Sequence, residues 1–303
     1  MSVVGLLGSR PVSAVFAAAT RGRARAVAYH TVDDAAAFAA QLDLFAAAGL
    51  TTVTAAQVVE ALHGGRPLPS RALWITFDDG DSSVVRLALP FLRERGMVAT
   101  AFLCGAWVGT TEAPWWQVVA AATPADDLVR TRFALKAAPD GERRRQVAEM
   151  ADGLAAAGTP AIGPQWTRDD VAAWLAAGND IGNHSWDHPC LDRCDEAEQR
   201  RQVRLAHDRL SELTGALLDV FAWPNGDPAT AALAEAQALG YRLVAKCDHR
   251  LVRMADGPLA VSRLKLDANV GVARTRAVIS GAHSTVFHLQ QRLRGRRPTN
   301  DIT

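Results

Sequence analysis

Short apolar segments alternate with longer segments of helical spacing along most of this 303-residue chain. The clearest apolar segment is 72–77 (ALWITF), and two carboxylates and a glycine follow it at once. A continuous apolar run of this length is typical of a strand that is buried on both faces, as in a parallel sheet covered by helices. The alternation therefore predicts an α/β fold with a mainly parallel sheet, in which functional loops follow the strand ends.

One long stretch interrupts this alternation. Residues 105–165 contain two adjacent tryptophans and a charged amphipathic segment around 142–154, so we interpret them as an insertion on one face of the domain. The basic C-terminal end is typical of a solvated, disordered tail. The expected organisation is a leader segment at 1–23, one domain at 24–290 with an insertion at about 105–165, and a basic disordered tail at 291–303.

The balance of charged side chains limits the partners. Lysine plus arginine (33) almost equals aspartate plus glutamate (32), which gives a formal net charge of +1. We therefore expect neither a nucleic-acid partner nor a membrane-coating surface. No apolar run reaches the roughly 18 residues that a membrane-spanning helix needs. The oligomeric state is left open.

The apolar N-terminus lacks a basic start and is broken at 9–11 (SRP). We interpret it as a helix that leads into the domain and can contact a membrane surface, with a cleaved secretory signal as the alternative. Four scattered cysteines favour reduced thiols, and a zinc site at Cys190 and Cys194 near His188 is the less favoured alternative. The expected location is the cytoplasm or the periphery of the inner membrane, with secretion as the alternative.

Asp78 and Asp79 directly follow the apolar strand at 72–77. Two adjacent carboxylates at such a place are costly unless a cation or a proton compensates them. Neighbouring residues at a strand end point different ways, so one can bind a metal ion while the other faces a reactant. Taken alone, Asp-Asp-Gly is more typical of a turn with a helix cap.

His184 and His188 change this balance. A strand-like segment precedes the pair and Pro189 follows it, which favours a loop at a strand end over a helix. Two histidines at this spacing, together with a carboxylate from another strand end, indicate a metal site with two histidines and one carboxylate. Such a set leaves coordination positions open for water and substrate, as a catalytic site requires.

Three motifs in order resemble one family. The segment 76–80 (TFDDG), the histidines of 184–188 (HSWDH) and the segment 221–226 (FAWPNG) together resemble the polysaccharide deacetylase family with NodB homology, also called carbohydrate esterase family four. The third motif and the segment 26–32 (AVAYHTV) resemble its exopolysaccharide and poly-N-acetylglucosamine deacetylases in particular. The resemblance covers roughly residues 24–280, and the three motifs together are far more specific than the acidic motif alone.

The resemblance implies a distorted, mainly parallel (β/α) barrel with seven strands. It also implies one divalent metal ion, zinc before cobalt, nickel or manganese, bound by Asp79, His184 and His188. Asp78 would be the general base for a metal-activated water, and the backbone N–H of Asn225 would stabilise the oxyanion that forms on the acetamide. The implied activity is removal of acetyl groups from N-acetylated sugars, as in the N-acetylhexosamine units of an exopolysaccharide or its precursor.

The general acid that protonates the leaving amine does not follow from the usual C-terminal motif of the family. The C-terminal Leu-x-His motif of the family is not evident, and neither His283 nor His288 lies on a convincing strand. In the subgroup this histidine comes from the N-terminal strand, which His30 matches, so we expect His30 to be the acid and keep His283 as the alternative. Ala222 stands where many members have an arginine beside the catalytic aspartate.

Several other side chains are candidates for substrate contacts. Trp115, Trp116 and Trp186 could stack on sugar rings, although Trp115 and Trp116 could equally anchor the insertion. Arg263 and Lys265 follow a late strand and could contact anionic substrate groups, with a plain surface position favoured for Lys265.

Two other functions fit the same motifs. The first is a non-catalytic sugar-binding member, which Ala222 and the missing Leu-x-His motif favour and which the intact Asp78 disfavours. The second is a deacetylase or deformylase of a nucleotide-linked or lipid-linked sugar. A closed pocket under the insertion would favour this small substrate, whereas a long open groove would favour a polymer.

Overall fold

The computed structural model describes residues 3–161, 163 and 165–293, which form one nine-stranded sheet surrounded by helices. Every strand pair of this sheet is parallel. The strands are, in chain order, β1 (Arg25–Tyr29), β2 (Thr51–Thr52), β3 (Ala72–Asp79), β4 (Ala99–Leu103), β5 (Asp180–Asn183), β6 (Val220–Ala222), β7 (Leu243–Lys246), β8 (Val261–Ser262) and β9 (Leu264–Lys265).

The sheet forms a nearly closed barrel in the order β8-β7-β6-β5-β4-β3-β1-β9, and β2 pairs with β3 outside this path. β8 pairs with β7 and β9 pairs with β1, so the segment 261–265 joins the two edges of the sheet. The predicted mainly parallel (β/α) barrel is confirmed. Seven strands were too few, because Arg263 divides the last strand into two short ones with different neighbours.

Thirteen α-helices lie in the described part of the chain, and a π-helical turn at Val84–Ala88 leads into the fifth. They are α1 (Val3–Leu7), α2 (Arg10–Ala19), α3 (Ala35–Ala47), α4 (Ala55–Leu62), α5 (Leu89–Glu94), α6 (Trp115–Ala122), α7 (Ala125–Ala137), α8 (Asp140–Ala156), α9 (Arg168–Ala176), α10 (Glu196–Thr214), α11 (Thr230–Ala238), α12 (Val272–Ser280) and α13 (Ala282–Leu293).

Capping residues determine where several helices begin and end. At the start of α4, Thr54 and Gln57 form a reciprocal capping box. At the start of α10, the Asp195 carboxylate accepts a hydrogen bond from the amide N–H of Glu198. α10 ends at Gly215, whose φ of 68° lies in the left-handed region that favours glycine.

Aromatic packing holds β3 in the barrel wall. The Phe77 ring lies 5.4 Å from the Tyr29 ring of β1, 6.0 Å from the Phe38 ring of α3 and 5.9 Å from the Trp174 ring of α9. All four side chains are buried. Truncating an aromatic core residue of this kind to alanine costs about 3–5 kcal/mol. The strand that ends in the two aspartates is therefore fixed from both neighbouring helices.

Two regions lie outside the barrel proper. Helices α1 and α2 contact α12, and Gly8 approaches Ala273 so closely that a β-carbon there would overlap its carbonyl oxygen. Helices α6, α7 and α8 lie between β4 and β5, at the residues expected for the insertion. Within the described part of the chain, no helix is long and apolar enough to cross a membrane. The tail expected at 291–303 lies mostly outside the described residues.

Candidate metal centre and active site

The parallel strands bring the predicted site residues to one end of the barrel. β3 ends on Asp79, while β1 and β5 end one residue before His30 and His184. Leu103 of β4 lies opposite both Asp79 of β3 and Asn183 of β5. The carboxyl ends of neighbouring strands therefore lie at one level, and the side chains that follow them meet above the barrel.

Asp79, His184 and His188 could hold a metal ion. One donor atom from each lies within 4.8 Å of the others, and no other three His, Cys, Asp or Glu side chains in the described residues are grouped in this way. The Nε2 atoms of His184 and His188 lie 3.3 and 3.4 Å from Oδ1 of Asp79. Two donors that each lie about 2.1 Å from a tetrahedral zinc ion are about 3.4 Å apart. The observed spacing therefore fits one ion.

Unpaired buried atoms support the same assignment. Oδ1 of Asp79 and Nε2 of His184 are buried and have no hydrogen-bond partner among the described residues. A buried polar atom without a partner is costly, so an arrangement that directs two of them at one point is typical of a metal site. Burial also lowers the pKa of His188 to about 3. This imidazole is therefore neutral at pH 7, the form that binds a metal.

Hydrogen bonds orient the histidine loop. Nδ1 of His184 lies 2.9 Å from the carbonyl oxygen of Ala222, and donation to this oxygen leaves Nε2 with the lone pair that a metal ligand needs. The side-chain Oδ1 of Asn183 accepts a hydrogen bond from the backbone N–H of Ser185 at 2.7 Å, and the Nδ2 of the same side chain donates to the Tyr241 hydroxyl at 2.7 Å. The backbone on either side of His184 is thus fixed by the sheet.

Backbone strain is concentrated at this end of the barrel. Six non-glycine residues in the described part of the chain have positive φ, and four of them belong to the site. Each such conformation costs on the order of 1–3 kcal/mol and persists only where the surroundings enforce it, which is common at functional sites. The four are Asp79 (φ 77°), Ser185 (φ 70°), His188 (φ 54°) and Asn225 (φ 56°).

Asp78 lies beside the three donors and is paired with Arg263. The two terminal nitrogens of Arg263 donate to Oδ1 and Oδ2 of Asp78 at 2.6 and 2.8 Å, and both side chains are buried. Burial, the largest single effect, raises the pKa of Asp78, but the charge of Arg263, the nearby His184 and the hydrogen bonds from Arg263 together outweigh it, so this pKa lies below the ordinary value. The expectation that Arg263 contacts anionic substrate groups is wrong, because its guanidinium is fully buried against Asp78.

A cavity of about 270 Å³ opens onto these residues. Trp115 and Trp116 of α6 and Arg132 and Lys136 of α7 cover it from the insertion, and Lys265 lines it from β9. The cavity brings together all six predicted catalytic and metal-binding residues: His30, Asp78, Asp79, His184, His188 and Asn225.

The insertion is attached to the histidine loop by polar contacts. Nε1 of Trp115 donates to the carbonyl oxygen of His188 at 3.0 Å, and the Trp116 ring lies 4.8 Å from the His188 imidazole. Arg144 of α8 donates to both carboxylate oxygens of Asp187, at 2.7 and 2.9 Å. Trp115 therefore anchors the insertion and lines the cavity at the same time.

The sequence matches the family model for polysaccharide deacetylase over residues 65–244, which is more than half of the chain. The chain belongs to the polysaccharide deacetylase family. Members of this family are hydrolases that act on N-acetyl sugars. The chain is 27% identical over 239 residues to the poly-β-1,6-N-acetyl-D-glucosamine N-deacetylases of Escherichia coli K12 and O157:H7. The match covers 71% of this chain but only about a third, 32%, of each of these relatives.

Solved structures share the fold of this deacetylase-family chain. The Streptococcus pyogenes deacetylase PplD, solved with acetate, superposes with a TM-score of 0.62 at 16% identity, over 85% of this chain and 98% of that one. IcaB from Ammonifex degensii superposes with a TM-score of 0.59 at 19% identity, over 86% and 97%. The deacetylase domain of BpsB from Bordetella bronchiseptica superposes with a TM-score of 0.60 at 14% identity, over 81% of this chain and 96% of that domain.

Other candidates from the sequence lie away from the cavity that contains Asp79, His184 and His188. Nδ1 of His283 is 2.7 Å from Nε2 of His249, and both histidines line a separate small cavity. The ring of Trp186 packs beside Gly105 and is not part of the cavity wall. All four cysteines are free, and none belongs to the group of metal donors found in the described residues.

Two arginines shape the site of this deacetylase family member in ways that the sequence did not indicate: Arg263 was expected to contact substrate, and Arg144 was not a candidate. Ala222 stands where many members have an arginine. In this chain Arg263, which lies between β8 and β9 where the barrel closes, donates its guanidinium hydrogen bonds to Asp78 instead. A single charged residue between the apolar positions Val261 and Leu264 was the available signal. Arg144 could not be found, because its partner Asp187 lies in a different segment.

Proposed function

We propose that this chain is a metal-dependent hydrolase that removes acetyl groups from N-acetylated sugars. The observation that carries the proposal is the placement of an ionised, buried Asp78 beside the metal donors Asp79, His184 and His188 in one cavity. A sugar-binding protein that does not turn over its ligand has no need for a carboxylate that a buried arginine keeps charged.

The metal-binding residues fit a divalent ion, with zinc preferred on the 3.3 and 3.4 Å donor spacing. When bound, such an ion lowers the pKa of a water molecule from 15.7 toward about 7 and polarises a carbonyl group. Asp78 accepts the proton of the attacking water, and Arg263 holds both carboxylate oxygens so that the base keeps one orientation. As ligands, His184 and His188 would bind in the neutral form, which leaves a ring nitrogen lone pair for the ion.

Two further residues complete the proposed reaction. The backbone N–H of Asn225, presented by the left-handed turn at φ 56°, stabilises the oxyanion that forms on the acetamide. His30 donates a proton to the sugar nitrogen as the carbon–nitrogen bond breaks, so the products are acetate and a free amine. The His30 side chain lines the same cavity as Asp78 and lies at the end of the adjacent strand.

The preferred substrate class is an N-acetylhexosamine unit of an exopolysaccharide or its precursor. The E. coli relatives are named for this substrate class, and Trp116 offers an aromatic face in the cavity wall for a pyranose ring. Release of acetate from β-1,6-linked N-acetylglucosamine oligomers tests this proposal. Sugar binding without acetate release would instead support the non-catalytic alternative. The location in the cytoplasm or at the inner membrane stays a prediction.

One observation favours a second substrate, an N-acylated sugar linked to a nucleotide or lipid phosphate. Arg132, Lys136 and Lys265 all line the cavity, which has only about 270 Å³ and is covered by the insertion. Nε of Arg132 is buried without a hydrogen-bond partner in the described part of the chain, while its Nη2 donates to the Trp116 carbonyl oxygen. A phosphate would satisfy this nitrogen. Faster acetate release from a phosphate-linked than from an oligomeric N-acetyl sugar would establish this substrate.

A further inference from the structure

We propose that a second cavity, at the opposite end of the barrel from the metal donors, binds an anionic phospholipid of a membrane surface. The acyl chain lies in the cavity and the headgroup lies between arginines at its rim. The cavity has about 500 Å³, and its walls come from α2, the end of α3, the start of β1 and the end of α12.

Small side chains create this space. One face of α2 contributes Ser13, Ala14, Ala17 and Ala18, at the spacing of successive helical turns. These side chains are too short to fill the gap between α2 and α3, whose facing residues include Leu44. The opening runs along a helix of ten residues, about 15 Å, so it is long enough for an extended acyl segment.

Arginines surround this apolar space, and no acidic residue lines it. The five arginines in its wall are Arg10, Arg21, Arg25, Arg71 and Arg276. Within the described residues, none of the five forms an ion pair with a carboxylate. Apolar walls with a rim of uncompensated guanidinium groups are complementary to a molecule with an apolar body and an anionic end.

Three of the arginines lie together at one end of the cavity. Arg25 is buried and donates only to uncharged oxygens, those of Ile279, Thr20 and Arg23. Arg71 is close enough for its charge to lower the pKa of Arg25 further, after the larger effect of burial. The buried Arg25 and the exposed Arg71 thus place two like charges in one wall of the cavity, and Arg21 lines the cavity just after α2 ends, so an anion bound there is stabilised. This end is where we place the headgroup.

The position of the cavity separates it from the proposed reaction. Arg25 begins β1 and Arg71 immediately precedes β3, so the cavity lies at the amino ends of the strands. The metal donors follow the carboxyl ends of the same sheet. A lipid in this cavity therefore does not contact the metal donors. The lipid proposal does not depend on the proposed hydrolase activity.

A membrane lipid is the occupant that the neighbouring surface favours. Val15 of α2, the helix that lines the cavity, is 69% exposed, and Leu6 of α1, which contacts α2, is 52% exposed. Exposed apolar side chains beside arginines are typical of helices that lie in a membrane interface. The C-terminal segment 294–303 of this chain is a poor occupant of the cavity. It carries three arginines, and their charge would repel the arginines at the rim.

Sedimentation with vesicles tests the proposal. We compare vesicles of phosphatidylcholine alone with vesicles of equal parts phosphatidylcholine and phosphatidylglycerol. Arg21→Ser removes a rim charge, and Arg23→Ser removes the same charge from an exposed residue two positions away that does not line the cavity. Ala18→Leu fills the cavity without a charge change, and Ala19→Leu adds the same group on a residue outside the lining.

The chain is expected to bind the anionic vesicles and not the neutral ones. Arg23→Ser should weaken binding by at most about fivefold, the effect of one arginine near an anionic surface. Arg21→Ser and Ala18→Leu should each weaken it by about tenfold or more, while Ala19→Leu binds like the original chain. Equal effects within either pair would overturn the proposal, and so would equal binding to both kinds of vesicle. Binding of monomeric lysophosphatidylglycerol without binding to vesicles would show that the chain binds free lipid and not a membrane surface, and would overturn the proposal. Circular dichroism of each variant confirms the fold.

Discussion

Arg263 donates hydrogen bonds to both carboxylate oxygens of Asp78, at 2.6 and 2.8 Å, from the single residue that separates β8 from β9. The same guanidinium donates to the Thr76 hydroxyl at 2.9 Å and lies 5.1 Å from the Phe102 ring inside the barrel. The residue that closes the barrel is thus also the counter-ion of the proposed base. The pairing that closes the sheet therefore also places the guanidinium that orients Asp78.

Arg263→Lys should lower kcat by about tenfold or more while metal content and KM change little. Lysine keeps the charge but loses the paired hydrogen bonds that fix both oxygens of Asp78. We also expect the free energy of unfolding to fall by about 1.5–3 kcal/mol, the usual range for hydrogen bonds to a charged group. Steady-state kinetics, metal analysis and urea unfolding measure these effects.

The matched control is Arg253→Lys, at an arginine that is 56% exposed. It should leave kcat unchanged and stability within about 0.5 kcal/mol. A kcat for Arg263→Lys that matches the control would show that Asp78 needs no positioning by Arg263.

Exchanging each adjacent aspartate for asparagine separates their two roles. Asp78→Asn should abolish turnover while metal content stays near one ion per chain, because the proposed base is not a ligand. Asp79→Asn should lose the metal, because Oδ1 of Asp79 is the atom nearest both histidine donors. Activity and metal content are measured on the same purified samples. Loss of metal from Asp78→Asn with retention in Asp79→Asn would reverse the assignment.

His30→Ala should lower the rate by about a hundredfold or more, the usual scale for a group that transfers a proton. His283→Ala is the control, because this histidine pairs with His249 in a separate cavity and should leave the rate close to that of the original chain. Initial rates of acetate release compare the two. If only His283→Ala were impaired, the general acid would have to be assigned again.

Much of the fold was predictable from periodicity. The apolar run at 72–77 predicts a buried parallel strand, and β3 occupies Ala72–Asp79. The strand count was not predictable, because β8 and β9 contain two residues each and have no periodic signal. Their pairing depends on which edges of the sheet meet, and this is a property of the closed barrel rather than of the local sequence.

The site was predictable where chemistry follows a strand end. Asp79, His184 and His188 lie within reach of one ion, as their motifs indicate. The partner of Asp78 was not predictable, because Arg263 lies 185 positions further along the chain and a buried arginine cannot be distinguished from a surface one in the sequence. The same holds for Arg132, whose position over the cavity depends on how the insertion folds back.

Arg144→Ala should loosen the insertion from the histidine loop. The substitution removes the paired hydrogen bond to Asp187 together with ion pairs to Asp140 and Glu198. Because Arg144 is 37% exposed, solvent screening reduces the contribution of the Asp187 pair to about 1 kcal/mol. Arg145→Ala is the matched control, since this neighbour on α8 is 56% exposed and bonds only to carboxylates of its own helix. Urea unfolding and KM are measured for both. Equal changes in the two variants would show that the Arg144 contact does not hold the insertion in place.

The most direct test of the central claim is metal content measured together with acetate release from N-acetylglucosamine oligomers. The purified chain should contain one divalent ion, lose acetate release when a chelator removes it, and regain activity when zinc or cobalt is returned. A chain that binds no metal after incubation with either ion, or that releases acetate equally well without one, would contradict the assignment of Asp79, His184 and His188 as a catalytic metal site.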